Sequence, residues 1–477
     1  MSKTYVIFLL ILTFLVSGCE SRTYENPFDP HVQSHVWAPA SLSAETDARG
    51  QIHLSWEPRA IIETGYKIQR RENDSDFVTL DSTFETRYVD SPPDHSRIYG
   101  YQVRACLNDK LSTPTNIQSI RWIPLGEQIW TYAIGHFGSS TLAFSPDNRY
   151  LATGSTGLVN NEYCGPVTLF DAESGGILWT GYHSWGVTAL VFSRDNTILL
   201  SGSEDTLIKA WDVETGDLLW QNAHPYRINT VDIGGDGTQA ASGCNAGYVR
   251  VWNAETGARL WQHRHTHPTW RVAVYDVAFH PEKHQLASAG GEYILKCFNS
   301  DTGELIWQDD IGAQINQIRY SHSGNWILAG GGGYQSGWIR LMDSQSGNGV
   351  WNISLSEQIM SLDICPGDTL IAAGDAQGNI YIYHIESETL LREFNHGGLI
   401  NSLCFSPDAF KILTAGNNNM VKVWDTGTGE LLWTGTQNRE IYTARFSPNG
   451  QKLASISYDG QVKCWRALNN WIIFNGE

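Results

Sequence analysis

Phe192–Trp220 reads FSRDNTILLSGSEDTLIKAWDVETGDLLW, and variants of this stretch recur from about residue 128 to the end of the chain. An aromatic or aliphatic residue opens each copy, at Phe144, Phe192, Ile233, Phe279, Tyr320, Ile364, Phe405 and Phe446. The intervals between them are 48, 41, 46, 41, 44, 41 and 41 residues. A fixed period near 41 with occasional insertions is the mark of a repeat architecture. Inside the second copy, Thr188–Phe192 alternates as a strand and Ser193–Asn196 is turn chemistry. Ile198–Ser201 is a second strand, Glu204-Asp205 a turn and Leu207–Trp211 a third strand. Asp212–Gly216 turns again before Asp217–Trp220. Four short strands per unit, with turn residues at fixed offsets, predict one blade of a β-propeller.

The copies resemble WD repeats. The Trp-Asp pair stands at Trp211-Asp212 and Trp424-Asp425, and weakens to Trp252-Asn253, Phe170-Asp171, Phe298-Asn299, Met342-Asp343, Tyr383-His384 and Trp465-Arg466. The resemblance implies a buried tetrad of His, Ser or Thr, Asp and Trp. Only the second copy carries all four, as His183, Ser201, Asp205 and Trp211. The third has Ala246 at the Asp position, the seventh Asn418, and the eighth Gln437 at the His position. Buried polar groups need partners, so a complete tetrad is expected to stiffen its blade.

A second pattern, Asp-x-x-Thr-Gly-x-x-x-Trp, overlays the first as DVETGDLLW (212–220) and DTGTGELLW (425–433). It resembles the Trp-docking motif of eight-bladed quinoprotein-like propellers, in which the indole packs between neighbouring blades. Trp130, Trp179, Trp220, Trp261, Trp307, Trp351 and Trp433 hold this place; the sixth copy has Arg392 and the eighth Phe474. The count predicts eight blades, with seven blades and an irregular sixth unit as the alternative. Two segments compete to complete the last blade, Glu127–Trp130 and Trp471–Phe474. Pairing of the first would leave no free sheet edge.

The N-terminus carries a different signal. In residues 1–18, MSKTYVIFLLILTFLVSG, one Lys precedes an apolar run, Tyr5–Val16, too short to span a bilayer comfortably. Val16-Ser17-Gly18-Cys19 resembles a bacterial lipoprotein cleavage box, which implies lipidation at Cys19 and a membrane anchor. No Asp follows the Cys, which by analogy with Gram-negative lipoproteins points to the outer membrane of the cell envelope. Residues 19–36 read as a tether. Residues 37–122 alternate with period two around Ile52–Trp56, Tyr66–Arg70 and Tyr99–Ala105, as in an immunoglobulin-like β-sandwich. They resemble a fibronectin type III domain, with Trp56 on the second strand, Tyr66 on the third and Tyr99 at a tyrosine corner, and are expected to act as a spacer. The propeller is assigned to 123–477.

A net charge of −18 argues against nucleic acid and against electrostatic docking to anionic lipid. The core repeat being constant, insertions are where binding is expected. They fall within Thr156–Pro166, Gly331–Gly337 and Gln262–Ala273, in two kinds of loop that emerge on one face of a WD-type propeller. Candidate binding residues are Asn160, Tyr163, His265, Trp270 and Tyr334. His263, His265 and His267 alternate and would suit zinc or copper; in the other reading one His fills the tetrad position of the fourth blade. No nucleophile elbow, phosphate loop or His-Glu-x-x-His occurs. Seven cysteines besides Cys19 mostly fall on strands and predict no disulfide framework. The resulting expectation is an all-β, monomeric, non-catalytic scaffold without cofactor, binding a protein or peptide. Such a chain resembles the propeller lipoprotein of the outer-membrane barrel-assembly machinery, apart from its sandwich and WD signature. A glycan-binding or glycan-processing accessory and a metal- or quinone-dependent enzyme are the alternatives.

Overall fold

The computed structural model describes residues 38–46, 51–59, 65–73, 75–92, 97–107, 110–123, 125–134, 138, 141–159, 162–266, 272–467 and 470–474. The signal segment, the tether, Cys19, Asn160, His267 and Trp270 lie outside them. The described residues contain strands and turns and no α-helix. They fall into two compact units, divided at Leu125–Leu468.

The smaller unit is a two-sheet sandwich. Ala40–Thr46, Ile52–Glu57 and Arg87–Asp90 form one sheet. Val78–Thr83, Gly65–Glu72, Ile98–Leu107 and Gln118–Ile123 form the other, in that spatial order. The alternation seen in the sequence points Ile52, Leu54 and Trp56 from the first sheet against Ile68, Tyr99, Tyr101 and Val103 from the second. Trp56 meets Tyr66 edge-on, with centroids 5.4 Å apart. Tyr101, two residues after the expected corner tyrosine, donates its hydroxyl to Asp90 at 2.6 Å, and Arg70 holds the same carboxylate at 2.8 Å.

The larger unit contains, among the described residues, eight sheets of four strands or more, all antiparallel, and in all but the eighth the chain runs in order from the inner strand outward. The second consists of Val187–Phe192, Ile198–Ser203, Leu207–Asp212 and Leu218–Ala223. The weak sixth copy is as regular as the rest, from Ile359–Ile364 to Leu390–Asn395. Inner strands neighbour one another in chain order, and that of the eighth sheet returns to that of the first. This is a propeller. Its core lies between sheets rather than within them. Leu200, Ala210 and Trp220 of the second sheet pack on Ile228, Val231 and Trp252 of the third, so no copy buries its apolar face alone.

A repeated bulge shapes the inner strands. In the second sheet the register slips between Val187 and Ala189, which turns Thr188 toward the next sheet. Its hydroxyl donates to the Ile228 carbonyl at 2.7 Å. Asn229, Asn316 and Asn401 do the same from the third, fifth and seventh sheets, at 2.8, 2.8 and 2.9 Å.

The two candidate closing segments part company. Gln128–Ala133 pairs with Gln461–Arg466 and becomes the outer strand of the eighth sheet. Asn470–Phe474 leaves the propeller and pairs with Gln118–Ile123 in the sandwich, Phe474 opposite Ser119. The sequence alignment placing Phe474 at the eighth docking position is therefore corrected: Trp130 supplies that indole. The boundary expected at 123–477 is corrected likewise, because the last described strand extends the sandwich sheet.

The docking tryptophans explain the Thr-Gly turns. Trp179 donates its indole N–H to the Val213 carbonyl of the next sheet at 2.9 Å, and a Cβ on Gly216 would strike its ring. Trp130, Trp220, Trp261, Trp307 and Trp351 bond to Ala172, Ala254, Ser300, Ser344 and Ile385 in the same way. In the sixth sheet Arg392 substitutes, donating from Nε to the Gly427 carbonyl at 2.8 Å.

Candidate functional site

The buried tetrad is the first place where polar side chains converge. His183, the last residue of the first sheet's outer strand Ile177–His183, reaches the second sheet and lies between Asp205, with Nδ1 2.9 Å from Oδ2, and Ser201, with Nε2 2.8 Å from Oγ. Trp211 donates to Ser201 at 2.8 Å. Asp205 also accepts from the Ser184 and Leu207 backbone N–H groups, so every member is satisfied. Burial lowers the His183 pKa while Asp205 opposes the shift. The third sheet repeats the His224–Ser242–Trp252 part, but Ala246 leaves His224 Nδ1 buried without a partner. Burial, with Arg250 adding repulsion, drives that imidazole down to about 3. The seventh sheet substitutes an amide, with His396 Nε2 3.0 Å from Asn418 Oδ1. All are enclosed between strands, where they brace the sheets.

The fourth sheet accounts for His263 and His265. His265 occupies the tetrad position, with Nε2 2.8 Å from Ser288 Oγ and Nδ1 2.5 Å from Glu292 Oε1. Both ring nitrogens are thus engaged, and Glu292 stands where the second sheet has Asp205. Lys296 joins Glu292 at 2.8 Å and lies 3.4 Å from His263 Nε2. Burial alone would raise Glu292, but His265 and Lys296 outweigh it and hold the carboxyl down to about 2. The rings of His263 and His265 stand at 84° to each other. Among the described residues no group of three or more His, Cys, Asp or Glu is placed to hold a metal ion. Of the two readings of the histidine run, the one in which a His fills the tetrad position of the fourth blade describes His265, a buried brace; His267 lies outside the described residues.

The loops carrying the insertions meet on one face. In sheet after sheet, the turn between second and third strands hydrogen-bonds the loop leading into its inner strand, as in Glu204 N to Gly186 O at 2.9 Å and Tyr458 N to Glu440 O at 2.8 Å. The first-copy insertion folds into a short strand, Gly157–Val159, paired with Glu162–Asp171. This pairing presents Tyr163 outward, and its ring stacks on Trp185 from the following loop, with centroids 4.5 Å apart and planes at 12°. Both rings are about half exposed, at 55 % and 47 %. Beside them a cavity of about 260 Å³ is lined by Leu158, Tyr163 and Tyr458, and Tyr458 lies 6.0 Å from Tyr442. Tyr334 tips the hairpin of the fifth-copy insertion, 92 % exposed and apart from this group. Cys164, opposite Gly157, is buried, and Cys244, Cys297, Cys365, Cys404 and Cys464 are free thiols.

Of the residues singled out in the sequence, Tyr163 is therefore in an aromatic patch, Tyr334 stands alone, and His265 is structural. Trp185, Leu158 and Tyr458 were missed. The signal for Trp185 was available: an indole two residues past the tetrad His, in a loop with no packing role for it.

A family model described as IFT122 first beta-propeller matches residues 186–466, and one described as WD domain, G-beta repeat matches residues 126–160. Cilia- and flagella-associated protein 52 of Homo sapiens is 29 % identical over 104 residues, 21 % of this chain and 17 % of that protein. The Protein LST8 homolog of Drosophila melanogaster is 24 % identical over 199 residues, 39 % of this chain and 63 % of that one. The match spans less than two thirds of either relative. Among solved structures, Sqt1 of Chaetomium thermophilum bound to the N-terminus of the ribosomal protein L10 superposes with a TM-score of 0.63 at 18 % identity. It covers 72 % of this chain and 100 % of that one. That likeness is one of fold.

Proposed function

From the premise that this chain belongs to the WD-repeat propeller family described as IFT122 first beta-propeller, we propose that it is a non-catalytic scaffold that holds a protein or peptide segment on the loop-bearing face. The Tyr163–Trp185 stack carries this reading. Large aromatic surface left in water beside an apolar cavity is the composition of an interaction hot spot. The docking tryptophans, by contrast, are taken up by the next sheet. Sqt1, a structure of the same fold, was solved with a segment of a ribosomal protein, which is in keeping with peptide capture.

The eight sheets are read as eight blades of one ring, and the sandwich as a fibronectin type III-like spacer. Residues 1–18 are read as a lipoprotein signal, with Cys19 as the lipid site and the outer membrane as the destination. The relatives named above are eukaryotic, so this envelope reading rests on the residues around Cys19 alone. Cys19→Ala is expected to release the protein from membranes; unchanged membrane attachment, or no labelling with palmitate, would overturn the anchor.

The partner face is tested by affinity capture from detergent-solubilised membranes, with the intact chain as bait. The double variant Tyr163→Ala/Trp185→Ala, at unchanged melting temperature, is expected to lose specifically captured proteins by about tenfold or more. Equal capture by both baits sinks the assignment of this face. Loss of a polysaccharide instead of a protein would favour the glycan-binding alternative.

A further inference from the structure

The far ends of the inner strands enclose a second feature, separate from the loop-bearing face. Each inner strand starts at that face and ends in a short turn such as Ser406-Pro407 or Ser447-Pro448. Where these ends converge lies a cavity of about 570 Å³. Its apolar wall includes Phe144, Leu403, Phe405 and Phe446, and two guanidinium groups, Arg319 and Arg445, also line it.

Charge is unevenly matched there. Arg319 donates from Nη1 to Asp276 at 3.1 Å and to the Ile318 carbonyl at 2.8 Å. Arg445 donates from Nη1 to Ser402 Oγ at 2.6 Å and to the Ala444 carbonyl at 3.0 Å, and among the described residues no carboxylate pairs with it. A guanidinium has five N–H donors. Bracing between sheets therefore accounts for Nη1 of Arg445, and the Cys404 thiol in the same wall is a further, weak partner of the guanidinium. The carboxylate of Asp363, also in the wall, accepts from Phe405 N at 2.9 Å and, among the described residues, is ion-paired to neither guanidinium. All this occurs in a chain whose net charge is −18. Two guanidinium groups facing one partly apolar cavity form a local cationic site that an anion would complete.

We infer that this cavity binds a small multivalent oxyanion, with Arg445 as the primary contact, Arg319 as the second, and the ring of phenylalanines and prolines receiving any apolar part. A planar fork of N–H donors matches carboxylate and phosphate alike. The ligand class is therefore a polycarboxylate or a phosphate ester.

The test is isothermal titration of the intact chain with citrate and with inorganic phosphate, in chloride buffer. Saturable binding at one site is expected. Tighter citrate binding would mark a carboxylate ligand and tighter phosphate binding a phosphate ester. Arg445→Gln is expected to weaken binding by about tenfold or more, the worth of one charge-assisted bond, and Arg445→Lys to retain part of it. Asp363→Asn, which removes the neighbouring acid, is expected to tighten binding by about threefold. Should Arg445→Gln fail to fold, Asp363→Asn decides alone. Absence of binding by both anions, an Arg445→Gln protein that binds as the parent does, or an Asp363→Asn protein with unchanged or weaker affinity overturns the inference.

Discussion

The second and eighth sheets do the same job by different covalent means. In the second, Asp212–Asp217 is a continuous turn: Asp212 N donates to Asp217 O at 2.9 Å and Gly216 N to Asp212 O at 2.9 Å. In the eighth the chain is interrupted at this point. Arg466 N donates to Glu127 O at 2.9 Å and Gly126 N to Arg466 O at 2.8 Å, so the same two bonds form between segments from opposite ends of the propeller. Gly126 takes the part of Gly216, with φ of 84° against 78°, and each lies under the docking indole of the preceding sheet, Trp433 or Trp179. The turn is thus a spatial unit that the chain need not run through. It comes at an entropic cost. Thr131 and Val462 are 331 residues apart, and closing such a loop costs about 4 kcal/mol more than closing a five-residue turn. The eighth sheet also lacks the His tetrad: Ser455 donates to Gln437 at 3.1 Å, and Gln437 passes a bond to the Gln461 carbonyl at 3.0 Å. The seam is closed by distant pairing and braced by an amide, whereas the second sheet is local and fully bonded.

The largest effect is expected at the seam itself. Gly126→Val puts a Cβ into the Trp433 indole and a β-branched residue at positive φ, costing about 3 kcal/mol or more. Gly216→Val meets a similar clash with Trp179, but its strands stay covalently joined. Urea unfolding should show both variants destabilised, and limited proteolysis should show rapid cleavage near residues 125–133 in the first only. Identical digestion patterns would mean that the seam is no weaker than a continuous turn.

His183→Ala comes next. It strands Ser201, Trp211 and the buried Asp205 carboxylate, at a cost of about 3 kcal/mol. Gln437→Ala in the eighth sheet should cost only about 1 kcal/mol, since no charge is left behind. Equal losses by chemical denaturation would refute the contrast between the two braces.

A smaller, opposite effect is expected where the third sheet falls short of the second. Ala246→Asp offers His224 Nδ1 the carboxylate that His183 has. Pro225 lacks the N–H that Ser184 donates, so the gain at pH 7 should be at most about 1 kcal/mol. The pH dependence carries a sign. In the parent, the His224 pKa is lowered from 6.5 to about 3, so the unfolded chain binds its proton first as pH falls. The stability tied to neutral His224 is complete above about 6.5 and is lost progressively toward 3. A neighbouring carboxylate raises the folded pKa and narrows that loss. The variant's advantage should therefore grow from pH 7 to pH 5, as read by paired denaturation curves; an advantage that shrinks over this range would show that the introduced carboxylate does not reach the ring.

The smallest effect belongs to Arg392→Ala, which removes an exposed docking contact to Gly427. A loss under about 1 kcal/mol is expected by thermal unfolding. A larger one would make Arg392 the equal of a docking tryptophan.

Much of this architecture was legible beforehand. The second tetrad could be named residue by residue because its members sit at fixed offsets within one copy. So could the docking tryptophans, since each pattern spans nine residues. Legibility failed where a position's meaning depends on another copy. Which of the alternating histidines fills the fourth tetrad was not legible, because an insertion sets His265 23 residues before Ser288, against 18 between His183 and Ser201, and Glu292 is not the usual acid. Trp185 was passed over because its stacking partner stands in the preceding insertion. Arg445 gave no signal at all, since the wall it faces is assembled from strands of many copies.

By itself the sequence determined the strand periodicity, the four-strand unit, its eightfold recurrence, the tetrad and the docking motif. All are encoded in contacts between residues a few to a few tens of positions apart. Only the tertiary structure decided which terminal segment completes the eighth sheet. Gln128–Ala133 and Asn470–Phe474 are both short, strand-forming and aromatic. The first brings Gly126 and Trp130 into the places that a turn glycine and a docking indole require. The second finds an open edge on Gln118–Ile123 instead. Edges must be paired, and which edge a strand pairs is a property of the closed ring and not of the strand.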